Sequence, residues 1–210
     1  MSTSSKKHDP KKTSTEKTFD EYFRQRMMSA KNSLERINIV CEKLKRKYEH
    51  YEETKEFIDY LKSVESVFIN AENGSWSIEK TQDELIKAEI YLMSQSTGID
   101  EDIFKSIYDE FVATNKDIAK IQEIADKLIE KYSNIEDCFE CEDCKKFIIY
   151  VKDALLVFAK SLSGDEQFDE LVEVKEEVIK MQMQRMAEDD RPPLQILQEI
   201  YIDFITQLKK

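Results

Sequence analysis

Glycine and proline are scarce. The chain has three of each in 210 residues, where average usage of about 7% and 5% gives roughly 15 and 10. So few sharp turns and strand punctuators argue against sandwiches, barrels and Rossmann-like sheets. Histidine is as rare, with two residues, both in the first 50. There is no Gly-rich phosphate loop, no Gly-x-Ser-x-Gly elbow and no His-Glu-x-x-His. No catalytic constellation remains, so neither enzyme activity nor a cofactor is expected. Long apolar runs are missing as well. The richest stretch, residues 147–159, carries Lys152 and Asp153 near its centre, whereas a membrane span needs roughly 20 apolar residues. The first 17 residues have lysines but no apolar segment behind them, so they read as a short disordered basic tail rather than a secretory signal. Four cysteines without such a signal imply reduced thiols in the cytosol.

What is abundant is charge. Acidic residues number 44 and basic residues 32, a net −12, and charged residues make up 36% against 40% hydrophobic. Amphipathic helices with wide solvated faces fit that balance best. Five Lys against Asp9 and Glu16 give the tail +3 and leave −15 on the remainder. That sign repels phosphates and argues against nucleic acid as a partner. Apolar or basic protein segments are the expected partners.

Apolar positions from Phe19 through Phe23, Met27, Ala30, Leu34, Ile37, Cys41, Leu44, Tyr48 and Tyr51 advance in steps of three and four. This near-heptad stripe predicts one long helix over residues 18–72, or two with a bend near 52–55. Asn73-Gly74-Ser75 is the first break. Ser77 opens a shorter helix whose stripe is Leu85, Ala88, Tyr91 and Leu92, with Gly98 as its C-terminal cap. Asp100 caps the next helix. Further stripes run from Ile118 to Tyr132, from Cys141 to Leu162 and over 168–187, and Pro193 opens a last helix, Leu194–Leu208. The expected architecture is all-α: elongated N-terminal helices over 18–96, then a compact C-terminal helical bundle over 97–210.

Cys138-x-x-Cys141-x-x-Cys144 has metal-ligand spacing, but no fourth ligand lies near it. The reading adopted is packing, with Cys141 and Cys144 as small buried residues one helical turn apart and no metal. Met181, Met183 and Met186 are either core or an adaptable apolar surface. Ile103, Phe104, Ile107, Tyr108 and Phe111 crowd one helix face and pose the same choice between core and ligand-binding wall.

Met183-Gln184-Arg185-Met186-Ala187-Glu188-Asp189-Asp190-Arg191-Pro192-Pro193 resembles the pattern Met-Gln-x-Met-x-Glu-Leu-Gly-x-Pro-Pro of the peroxin nineteen family, with Asp189 and Asp190 replacing Leu and Gly. Residues 122–127, Gln-Glu-Ile-Ala-Asp-Lys, are similar to the family's Lys-Glu-Ile-x-x-Lys segment. The resemblance covers roughly residues 98–193. The family's Tyr-Pro-x-Trp-Leu and C-terminal prenylation box have no counterpart here. It implies a cytosolic receptor and chaperone for peroxisomal membrane proteins, transiently at the peroxisomal membrane and without stable insertion. Ile103, Phe104, Ile107, Tyr108, Phe111, Met183 and Met186 would then line a groove for apolar targeting segments. Phe19, Tyr22, Phe23 and Met27 resemble the aromatic helix that docks on the membrane receptor peroxin three. The competing expectation is a coiled-coil scaffold subunit that pairs through residues 30–68.

Overall fold

Stripes of three-and-four spacing dictate helices, and the computed structural model contains nine of them among the residues it describes, which are 14–51, 53–113, 117–134, 141–162, 171–188 and 192–209. No strand occurs among those residues. In chain order the helices are α1 (Ser14–Ser29), α2 (Ser33–Lys47), α3 (Thr54–Glu72), α4 (Ile78–Thr97) and α5 (Glu101–Val112). They continue with α6 (Ile118–Ser133), α7 (Cys141–Leu162), α8 (Leu171–Glu188) and α9 (Leu194–Leu208). Most of the expected basic tail, together with Cys138 and Asp189, Asp190 and Arg191, lies outside the described residues. Helix α1 nevertheless begins at Ser14, inside the span read as tail.

The long N-terminal rod is corrected to three helices. Its first break is at Ala30-Lys31-Asn32, where the Asn32 Oδ1 accepts the Glu35 N–H at 2.9 Å and the Glu35 carboxylate accepts the Lys31 N–H at 2.7 Å. This reciprocal arrangement satisfies backbone donors that a helix start leaves open. The second break follows Tyr48, and there the Thr54 hydroxyl donates to the Tyr51 carbonyl at 2.6 Å. Later caps lie where the sequence places them. Ser77 accepts the Lys80 N–H at 3.2 Å, Gly98 sits at φ 75° behind α4, and Asp100 accepts the Asp102 N–H at 2.9 Å.

The expected division into an elongated half and a separate bundle is also corrected. α3 packs on α2, α4, α8 and α9, while α7 packs on α4, α5, α6 and α8. Phe57, Ile58, Leu61, Val64 and Phe68 of α3 are fully buried in the same core as Phe147, Ile148, Val151 and Phe158 of α7 and Phe204 of α9. Phe68 stacks on Phe158 with centroids 6.4 Å apart, directly across the expected boundary near residue 97. The cause is that α2 and α3 carry apolar stripes that gain more by covering α8 and α9 than by lying in water, about 1.5–3 kcal/mol for each large apolar side chain buried.

Helix α4 turns by part of a face from its expected phase. Thr81, Gln82, Leu85, Ile86, Glu89 and Ile90 point inward. Tyr91 is 56% exposed, and Ala88 and Leu92 are half-buried. Ridges of this helix run in i, i+4 rows, and two polar side chains and one carboxylate occupy those rows without forcing it to rotate outward.

Candidate functional site

Helix α5 lies between α4 and α6 on one side of α7, with Asp100 fixing its start and a contact to each neighbour. Phe104 and Ile107 point straight into the core. Phe104 is fully buried and meets Phe147 edge to face at 4.9 Å. Ile103 is half-buried against the same core. One turn on, Tyr108 and Phe111 form the wall of an apolar cleft of about 180 Å3, with Val112 beside them. Ile121 of α6 and Leu155 of α7 contribute, and Glu79, Gln82 and Asp83 of α4 supply its polar edge.

The polar edge fixes the tyrosine. The Tyr108 hydroxyl donates to Asp83 Oδ1 at 3.3 Å. Burial, followed by the Asp83 charge, pushes the phenol up to about 12. It therefore stays neutral and has no role as a base near neutral pH. Asp83 is itself held by Lys87 at 2.7 Å. Val112, 59% exposed, belongs to the cleft's lining, and Ile118, 47% exposed, opens α6 three residues before the lining Ile121. The result is a small apolar recess with an exposed apolar lip and an acidic edge. Its volume suits one or two apolar side chains, not an entire helix.

The methionines of α8 belong elsewhere. Met183 is buried in the core, and Met186 lines a separate, more polar cleft of about 680 Å3 formed by α3, α4, α7 and α8. The expected client-binding residues therefore form no single groove: Tyr108 and Phe111 line the apolar cleft, Phe104, Ile107 and Met183 are core, and Met186 faces the polar cleft. Under that polar cleft lies a network absent from the sequence reading. Arg185 Nη2 donates to the buried Glu89 at 2.8 Å, Nη1 donates to the Lys146 carbonyl at 2.9 Å, and the guanidinium lies 4.9 Å from the Tyr150 ring centroid. Tyr60 donates to the Val178 carbonyl at 3.2 Å, with the Tyr150 hydroxyl 3.5 Å away. Burial raises the Glu89 carboxyl above the ordinary carboxylate range, while Arg185 and a Gln182 hydrogen bond oppose the rise. The Gln182 amide oxygen is buried and has no hydrogen-bond partner among the described residues. One signal for this network exists in the sequence: Glu89 stands at i+4 from Leu85 and i+3 from Ile86, a carboxylate in an apolar row.

The four residues assigned to receptor docking are divided by the fold. Phe23 is buried, 4.8 Å from the half-buried Phe19, over which the Arg46 guanidinium lies at 5.7 Å. Met27 packs against the core, and Tyr22 is 48% exposed. Arg26 pairs with Glu42 and ties α1 to α2.

The cysteine reading is corrected in one respect. Cys41 and Cys144 are buried and outside any disulfide, but Cys141 is disulfide-bonded, so the expectation of reduced thiols fails there. A sulfur in a disulfide is no thiolate ligand. No group of three or more His, Cys, Asp or Glu side chains is placed to hold a metal among the described residues. No helix among them is long and apolar enough to cross a membrane. No protein-family profile, curated protein or solved structure matches this chain.

Proposed function

We propose that this chain is a non-catalytic receptor that binds an apolar segment of another protein, anchoring one or two of its side chains in the Tyr108–Phe111 cleft. The observation that carries the reading is the apolar recess itself, walled by two residues of the expected binding face, with the exposed Val112 in its lining. Removing apolar area from water at roughly 25 cal/mol per Å2 lets a few such anchors support useful binding once ordering costs are met. The acidic edge at Glu79 and Asp83 favours a segment flanked by basic residues.

The resemblance of residues 183–193 gives this reading a specific form: a cytosolic receptor and chaperone for peroxisomal membrane proteins that delivers them to the organelle. For docking on peroxin three, α1 offers Tyr22 and the outer edges of Phe19 and Met27, since Phe23 is committed to the core. The scaffold reading draws less support, because Ile37, Cys41 and Leu44 of its pairing stripe are buried within this chain.

The test is fluorescence anisotropy of a labelled peroxisomal membrane-protein targeting peptide titrated with the full chain, beside a Val112→Glu, Ile118→Glu variant. Both positions are exposed, so the variant keeps its fold. Saturable binding weakened at least about tenfold in the variant is expected, a loss of about 1.4 kcal/mol. No binding by the unmodified chain, or equal binding by the variant, overturns the proposal.

A further inference from the structure

Charge is distributed very unevenly. Residues 14–48 hold 9 basic and 5 acidic side chains, a net +4, whereas residues 49–210 hold 19 and 38, a net −19. The excess lies in α2 and the Lys31 turn before it, since α1 is neutral overall, and it gives an acidic molecule one basic region, a pattern that points to an anionic surface as partner. Between these helices, with Gln207 of α9 at one side, runs a groove of about 650 Å3. Phe23, Ile39 and Val40 give it a buried apolar base, and Met28 stands at its edge, 80% exposed.

Four cations line the groove, Arg24, Arg36, Lys43 and Lys47, against the single carboxylate of Asp20. Lys43 lies 3.4 Å from Asp20, and Lys47 is paired with Asp203 of α9. Of the other two cations, Arg36 meets a neutral acceptor and Arg24 is the most exposed. Arg36 donates to the neutral Leu208 carbonyl at 3.2 Å, and the 71% exposed Arg24 side chain has Glu21 3.5 Å away on its own helix. Lys31 and the 48% exposed Leu34 continue the same basic and apolar mixture through the turn between α1 and α2.

We propose that this groove and the α1–α2 turn dock the protein on an anionic lipid bilayer, with Arg24, Lys31 and Arg36 on the headgroups and Met28 and Leu34 in the headgroup boundary. A bilayer fits better than an acidic peptide because the most exposed apolar side chain stands on the rim and not in the base. The same negative surface repels the −19 remainder and so orients the molecule with its basic region down. Docking requires no client and is independent of the receptor reading.

The test is co-sedimentation of the full chain with phosphatidylcholine vesicles containing 30% phosphatidylserine, beside pure phosphatidylcholine vesicles, at low and high salt. The variants are Arg24→Glu with Met28→Asp, at exposed positions, and a Lys127→Glu control that reverses one cation on α6. Expected are binding to the anionic vesicles only, loss on raising salt, and roughly tenfold or greater weakening in the groove variant, with little change in the control. Absence of binding, or equal weakening in the control, overturns the proposal. Competition by millimolar free phosphoserine would assign the groove to a soluble anion. Capture of an amphipathic Glu-Leu peptide without vesicle binding would assign it to an acidic protein. Either result overturns the bilayer.

Discussion

Arg185 makes three contacts at once: an ion pair with Glu89, a hydrogen bond to a backbone carbonyl and a stacking contact with Tyr150. A carboxyl whose folded pKa is raised holds its proton more tightly folded than unfolded, so its ionisation costs stability as pH rises through the folded value. Glu89 is such a group, and Arg185 limits the cost. Arg185→Leu should therefore lose roughly 3 kcal/mol near pH 7, where Glu89 would be buried and charged without its partner. The deficit should shrink when it is read again at a more acid pH, because lowering the pH protonates the carboxyl. Urea unfolding at both pH values checks this, and an equal deficit at each would place the contribution of Arg185 in the Tyr150 stacking instead. Cys41 shows the same desolvation on a thiol, pushed up to about 12 by burial. It is a packing residue rather than a nucleophile.

At the scale of single helices, capping decides where the continuous apolar period is cut. Gly98 occupies φ 75° with open space around it, so a methyl group there meets no neighbour and only the backbone conformation resists it. Gly98→Ala should cost about 1 kcal/mol through the left-handed conformation alone, read as a lower thermal midpoint with unchanged helix content by circular dichroism. A much larger loss would mean that the α4–α5 junction also carries packing. Asn32 caps α2 at an Asn-x-x-Glu start, but the apolar stripe runs straight over it. Periodicity alone therefore reads α1 and α2 as one helix. α4 shows the opposite limit: apolar residues at Ala88, Tyr91 and Leu92 suggest one face, while Thr81, Gln82 and Glu89 lie on the face that is actually buried.

For the whole molecule, the shared core makes the two halves interdependent. Residues 97–210 alone would expose the faces of α7, α8 and α9 that α2, α3 and α4 cover, including Phe158, Val178 and Phe204. That fragment should therefore retain helix but lose fixed packing, with weak near-ultraviolet circular dichroism and strong binding of a hydrophobic dye. A cooperative unfolding transition in the fragment would restore the independent bundle. Charge at this scale separates two surfaces, an acidic-edged apolar cleft between α4 and α5 and a basic groove between α1 and α2.

Composition and spacing alone determined the all-α class, the ends of most helices and the shared helix face of Phe104, Ile107 and Phe111, because scarcity of Gly and Pro, short polar caps and apolar periodicity act through neighbours along the chain. Tertiary structure decided which of those buried residues border a cleft, that Phe23 is core, that Glu89 and Arg185 meet from α4 and α8, and that the N-terminal helices wrap the bundle. An apolar side chain contributes the same hydrophobic term to a helix stripe whether it ends inside a core or on the wall of a recess. Only the packing of distant helices separates the two.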